Sequence, residues 1–195
     1  MSGSLASHAI RLPADAADSW QRDRCVVVPR CVPPALAAVW EVAARECWDR
    51  TTHYEDPAGG TWREQFFADL DVPCSGLARD GALLRQVAAA TGVAGFDPAR
   101  TLAWINRYGP GDQVPEHVDR AGDCQFLVCL QAPPPDGGGV LHVDGRPVPL
   151  ARGDALLWAA HTQRHHMTAI TAPATRPSSA ARVTFVMRLF AAAHA

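Results

Sequence analysis

The sequence predicts an α+β, mainly β fold: a jelly-roll core of about eight strands with N-terminal helices packed on one sheet. Three observations carry this. From residue 100 onward, short apolar runs alternate with turn signals such as Asp144-Gly145 and Pro133-Pro134-Pro135-Asp136-Gly137-Gly138-Gly139, the pattern of an all-β sandwich or barrel. Before residue 100, apolar residues recur mostly at helical spacing. A length of 195 residues suits one domain with a substantial core.

The elements follow in order. Residues 1–13 read as a loose arm, and Cys25-Val26-Val27-Val28 as a short strand of β-branched residues. Pro33-Pro34 opens a helix, where proline is tolerated in the first turn. Leu36, Val39, Trp40, Ala43 and Ala44 extend it to about Asp49. Residues 51–76 hold Pro57, Gly59-Gly60 and Pro73 among Tyr54, Trp62, Phe66 and Phe67. We read this stretch as loop-rich, and loops of this kind often carry binding. Residues 79–91 form a second helix with Leu83, Leu84, Val87 and Ala88 on one face. Strands are expected near 101–108, 114–118, 124–131, 139–143, 146–150, 154–160, 165–171 and 182–190, and a flexible loop at 171–181. Residues 1–99 would then support, and 100–195 form, the core of a single domain.

Composition excludes several classes. A net charge of −2 gives no strong attraction to nucleic acid or to an anionic membrane. No apolar run approaches membrane-spanning length, and Met1–Trp20 lacks the apolar core of a secretion signal. A cytoplasmic protein is expected. The 18 basic residues are all arginine, so any anionic ligand must be held by arginine or protonated histidine. Six cysteines without a Cys-x-x-Cys pair read as reduced, mostly buried thiols. Cys124 and Cys129 would point to opposite faces of one strand.

The chemistry concentrates in His117-Val118-Asp119 and in a later cluster, His161, His165 and His166. Residues i and i+2 of a strand project from one face, ~6–7 Å apart. His117 and Asp119 can therefore reach one metal ion, with a histidine from a later strand completing the set. Two imidazoles and a carboxylate on one side of an ion, the other side open, suit non-haem iron(II).

The motif Asn106-Arg107-Tyr108-Gly109-Pro110-Gly111, followed by His117-x-Asp119 and by Val148-Pro149-Leu150-Ala151-Arg152-Gly153-Asp154-Ala155-Leu156-Leu157-Trp158, resembles the iron(II)- and 2-oxoglutarate-dependent oxygenase superfamily. The resemblance covers residues 100–190 and implies a double-stranded β-helix core using Fe(II), 2-oxoglutarate and O2. It implies His117 and Asp119 as metal ligands. The third is His165, whose His-x-apolar-x-Pro-apolar pattern has Ala169 in place of proline. His166 stays open as the alternative, because a one-residue slip flips a strand's faces; His161 ranks third. The resemblance further implies that Arg182 and Thr184 grip the distal carboxylate of 2-oxoglutarate, with Arg176 and Arg188 as competitors, and that Asn106 and Tyr108 contact the same co-substrate. Because Asp119 is a carboxylate rather than the glycine or alanine of halogenating members, hydroxylation, desaturation or ring closure is favoured over halogenation.

For substrate, the expectation is a small molecule such as an amino acid or natural-product intermediate, with Trp62, Arg63, Phe66 and Arg120 as candidate contacts. The first alternative is an alkylated nucleic-acid base demethylase, which Ile105-Asn106-Arg107-Tyr108-x-Pro110-Gly111 and Thr184-Phe185 also resemble. Such an enzyme needs a basic, phosphate-tracking surface, and no arginine cluster here is dense enough. The second alternative is a non-catalytic jelly-roll binding module. The sequence carries no signature of oligomeric state.

Overall fold

The structure, a computed structural model, describes residues 10–46, 52–55, 57, 59–66, 73–171 and 181–192. Its first half contains α1 (Ala16–Asp23), β1 (Cys25–Val28), α2 (Pro34–Arg45), β2 (Thr52–Glu55), β3 (Thr61–Phe66), a 3-10 helix (Pro73–Arg79) and α3 (Gly81–Thr91). Eight strands follow: β4 (Leu102–Tyr108), β5 (Val114–His117), β6 (Cys124–Gln131), β7 (Leu141–Val143), β8 (Arg146–Val148), β9 (Ala155–Trp158), β10 (His165–Met167) and β11 (Arg182–Leu189). The expected mainly β fold is found.

Two antiparallel sheets form the roll. The larger runs β1-β9-β6-β11-β4-β3-β2 and the smaller β5-β10-β7-β8. The larger sheet explains why β6 and β11 read as nearly unbroken apolar runs: they lie at its centre with both faces covered. Alternation sorts their side chains. Cys124, Phe126, Val128 and Leu130 of β6 join Val183, Phe185, Met187 and Leu189 of β11 in one core, together with Trp20, Trp40, Leu83 and Val87 from the helices. Leu127 and Cys129 face the other way, into the space between the sheets, with Trp104, Leu141, Leu156, Trp158 and Val186. Cys124 and Cys129 thus lie on opposite faces, as expected. Burial raises the Cys25 thiol to about 11 and the Cys31 and Cys74 thiols to about 12, which keeps these groups protonated.

The turns obey local chemistry. Asp144 and Gly145 both take positive φ, 49° and 74°, the type I′ geometry that a tight β7–β8 hairpin needs. Helix α3 is capped by Asp80, which accepts from the backbone N–H of Ala82 and Leu83 at 2.8 and 3.2 Å. It ends at Gly92 with φ 75°.

Several expectations need correction. Residues 16–23 form a helix that the sequence reading did not anticipate; only Ala16 and Trp20, one turn apart, are buried. In α2 the buried face is Ala37, Trp40, Glu41 and Ala44, not one containing Val39, which is 55% exposed. Glu41 is tolerated inside because the Arg45 guanidinium, one turn on, donates to it. The helix ends at Arg45, short of the expected Asp49. The stretch read as loop-rich, 51–76, instead supplies β2 and β3, which extend the larger sheet beyond β4. The exposed edge of β4 offers backbone partners to β3, and Tyr54 stacks on Trp62 across the hairpin with centroids 5.7 Å apart. The root of this hairpin is held by Thr61 Oγ1 donating to Asp112 Oδ1 at 2.7 Å. Gly60 fits there because a Cβ would fall 2.4 Å from the Pro115 side chain. Several later strands are shorter than expected, β10 ending at Met167 and β9 at Trp158. Most of the arm (1–9), Cys47, Phe67 and residues 172–180 with Arg176 lie outside the described residues. Among the described residues no helix is long and apolar enough to cross a membrane.

Candidate active site

The smaller sheet brings the two histidine regions together. β5 and β10 pair antiparallel with His117 opposite His165, and their rings lie 4.2 Å apart between centroids. Asp119, just past β5, is held by its backbone N–H to the Ala160 carbonyl at 2.9 Å. One ligand atom from each of His117, Asp119 and His165 lies within 4.8 Å of the others. His166 also lines the cavity, but its ring is stacked on His142 at 4.5 Å and it falls outside this set. His161 is exposed on a turn. The pairing register brings His165, rather than His166 or His161, beside His117 and Asp119.

The hydrogen bonds around this set orient it for a cation. Nδ1 of His117 lies 2.8 Å from the Pro115 carbonyl, and Nδ1 of His165 lies 3.0 Å from the Gln163 carbonyl. A carbonyl only accepts, so each Nδ1 carries a proton, and in the neutral ring that tautomer leaves the lone pair on Nε2. Burial pushes the His165 imidazole below the ordinary histidine value, favouring the neutral form that binds metal. The Asp119 carboxylate accepts from the Gln125 amide at Oδ2 and from Arg188 Nη2 at Oδ1, the latter at 3.1 Å.

A second polar patch lies on β4 and β11. Arg182 stands opposite Tyr108 and Thr184 opposite Asn106, so the four form a contiguous block on the face that looks between the sheets. All four are buried. Arg182 Nη1 donates to the Gly139 carbonyl at 2.9 Å. Arg182 Nη2, Thr184 Oγ1 and Asn106 Oδ1 are buried without a hydrogen-bond partner, and Arg182 has no carboxylate partner among the described residues. An unpaired buried cation costs several kcal/mol, so the free donors of Arg182 and Thr184 fit an anionic ligand that accepts hydrogen bonds. A dicarboxylate with an end to spare for the nearby metal donors meets that demand, and the residues present fit both iron(II) and 2-oxoglutarate.

Both patches open into one cavity of about 500 Å³, a size usual for small-molecule sites. Of the candidate substrate contacts, Trp62 and Arg120 line it. The side chains of Arg63 and Phe66 lie outside the described residues.

Two further residues stand beside Asp119. Gln125 was overlooked; its signal is a lone polar side chain opening the apolar run of β6. Arg188 was weighed as a co-substrate anchor. It lies instead ~20 Å from Arg182 along β11, beside Asp119 and over the Trp104 ring at 5.2 Å. Its signal was available, since 182, 184, 186 and 188 share one strand face.

No family model and no curated protein sequence matches the chain. Its fold, in contrast, matches solved structures over nearly its whole length. A Pseudomonas putida prolyl-4-hydroxylase superposes with a TM-score of 0.71 at 14% identity, covering 91% of this chain and 98% of that one. A 2OG-Fe(II) oxygenase family oxidoreductase from Burkholderia pseudomallei gives 0.65 at 18% identity, covering 91% and 90%. The non-heme alpha ketoglutarate dependent epimerase SnoN from nogalamycin biosynthesis gives 0.70 at 16% identity, covering 91% and 81%. The chain has the double-stranded β-helix fold of these oxygenases.

Proposed function

We propose that this protein is an iron(II)- and 2-oxoglutarate-dependent dioxygenase that oxidises, most simply by hydroxylation, an unactivated C–H bond of a small molecule. The observation that carries the reading is the meeting, in one cavity, of a two-histidine, one-carboxylate set with a buried arginine that has no carboxylate partner among the described residues. Bound iron(II) with 2-oxoglutarate supplies the oxidising chemistry: O2 and the co-substrate are converted to succinate and CO2 as one oxygen atom enters the substrate.

The chain's own residues have separable tasks. His117, Asp119 and His165 hold the metal from one side, leaving positions open on the other. The Pro115 and Gln163 carbonyls fix both imidazole tautomers, and Gln125 and Arg188 fix the carboxylate. Arg182 takes the distal carboxylate of 2-oxoglutarate through its free Nη2, with Thr184 beside it. Asn106 and Tyr108 complete that wall. Leu127, Leu141, Trp158 and Val186 exclude water from the space between. The protein's contribution is positioning and exclusion.

The test is spectroscopic. Under argon, wild-type protein with iron(II) and 2-oxoglutarate is expected to develop the weak visible charge-transfer band of the chelated complex, and His117→Ala to lack it. A wild type without the band, or a variant that retains it in full, refutes the reading.

A further inference from the structure

The charged side chains lining the cavity are Asp119, Arg120, Arg182 and Arg188: three cations against one anion. Iron(II) and the 2-oxoglutarate dianion cancel each other, so loading the site leaves an excess of two positive charges. Arg182 is committed to the co-substrate. The excess is therefore carried by Arg120 and Arg188, both at the Asp119 end of the cavity.

Neither arginine is exhausted by its surroundings. Arg188 gives Nη2 to Asp119, yet its Nε is buried without a partner, and the guanidinium lies over the Trp104 ring at 5.2 Å. Arg120 is exposed at the rim and has no ion pair among the described residues. Guanidinium groups with free N–H donors favour planar oxyanions, which they grip through two parallel bonds. The rest of the wall near this end is apolar and aromatic, with Trp104, Leu127 and Val186.

We infer that the substrate is a small carboxylic acid with an apolar or aromatic body, its carboxylate taken by Arg120 and the free donors of Arg188 and its body laid against Trp104, Leu127 and Val186. This rests on the proposed iron and 2-oxoglutarate site. Size and charge separate it from a polyanionic substrate. The cavity is of small-molecule dimensions, and a chain of net charge −2 offers little electrostatic pull on a nucleic-acid backbone.

The experiment uses the full chain loaded with iron(II) and 2-oxoglutarate under argon, titrated calorimetrically with matched probes: indole-3-acetate against indole-3-acetamide, and phenylacetate against phenylacetamide. Each carboxylate is expected to bind at least tenfold more tightly than its amide. Arg120→Gln is expected to shrink that ratio at least threefold while the visible band of the loaded site persists. Persistence of the band separates failure of this inference from failure of the metal site. Equal or tighter binding of the amides overturns the inference, as does an unchanged ratio in Arg120→Gln. Salt-steep binding of a methylated single-stranded oligonucleotide that exceeds every carboxylate probe also overturns it, in favour of a nucleic-acid substrate.

Discussion

Strand β11 shows two faces of opposite character. Val183, Phe185, Met187 and Leu189 point toward the helices and are fully buried in an apolar core. Arg182, Thr184, Val186 and Arg188 point between the sheets and line the cavity. β6 divides likewise, with Phe126 and Val128 on one side and Gln125 and Leu127 on the other. One face supplies rigidity, and the other presents polar groups whose hydrogen bonds are left open for ligands. A two-residue period lets one strand do both, because neighbours along the chain never compete for the same surroundings.

If the faces are separable, changes on each should move different measurements. The largest effect is expected on the cavity side: His117→Ala should abolish succinate release and the iron–2-oxoglutarate band. Thermal unfolding of the metal-free protein should scarcely change, because that side chain is 39% exposed. On the core side, Phe185→Ala should cost about 3–5 kcal/mol in urea unfolding, a large share of an ordinary domain's stability. The folded fraction should keep the band. A loss of less than ~1 kcal/mol would show that this face is not the tightly packed core.

Arg182→Met sharpens the comparison further. It should raise the KM for 2-oxoglutarate by roughly 30-fold or more, the effect of truncating a buried charge partner. It should leave the ligand-free protein equally stable or more so, because the unpaired buried cation is gone. A destabilised variant with normal KM would assign Arg182 to the core instead.

His165 links the two measurements through pH. Burial holds its imidazole below the ordinary value of 6.5, so on acidification the unfolded chain takes up this proton before the native one does. Stability of the metal-free protein should therefore fall as pH drops below about 6.5, and His165→Gln should flatten that slope in thermal melts. The smallest effect is expected from Thr184→Val, which removes one hydroxyl from the cavity face. It should weaken 2-oxoglutarate binding by about 1 kcal/mol, roughly fivefold in a direct titration, without altering urea stability by more than a few tenths.

Local pattern determined much of this molecule. The eight-strand roll, the Asp144-Gly145 hairpin, the face of α3 and the opposed placement of Cys124 and Cys129 all follow from side-chain period and turn chemistry, which act over a few residues. His117 and Asp119 were legible for the same reason, as residues two apart at the end of one strand. What spans the chain was decided by tertiary structure. Whether His165 or His166 meets His117 depends on which strand register pairs β5 with β10, a contact 48 residues apart in sequence. Residues 52–55 and 61–66 became strands because the edge of β4 offered unpaired backbone groups, a partner invisible in a segment rich in glycine and proline. Glu41 entered the core with Arg45 as its partner, and Val39 stayed exposed, once α2 packed against the sheet. Gln125 and Arg188 became partners of Asp119 only once β6 and β11 were laid side by side. A strand's own sequence states which residues share a face; only the assembled sheets decide what that face meets.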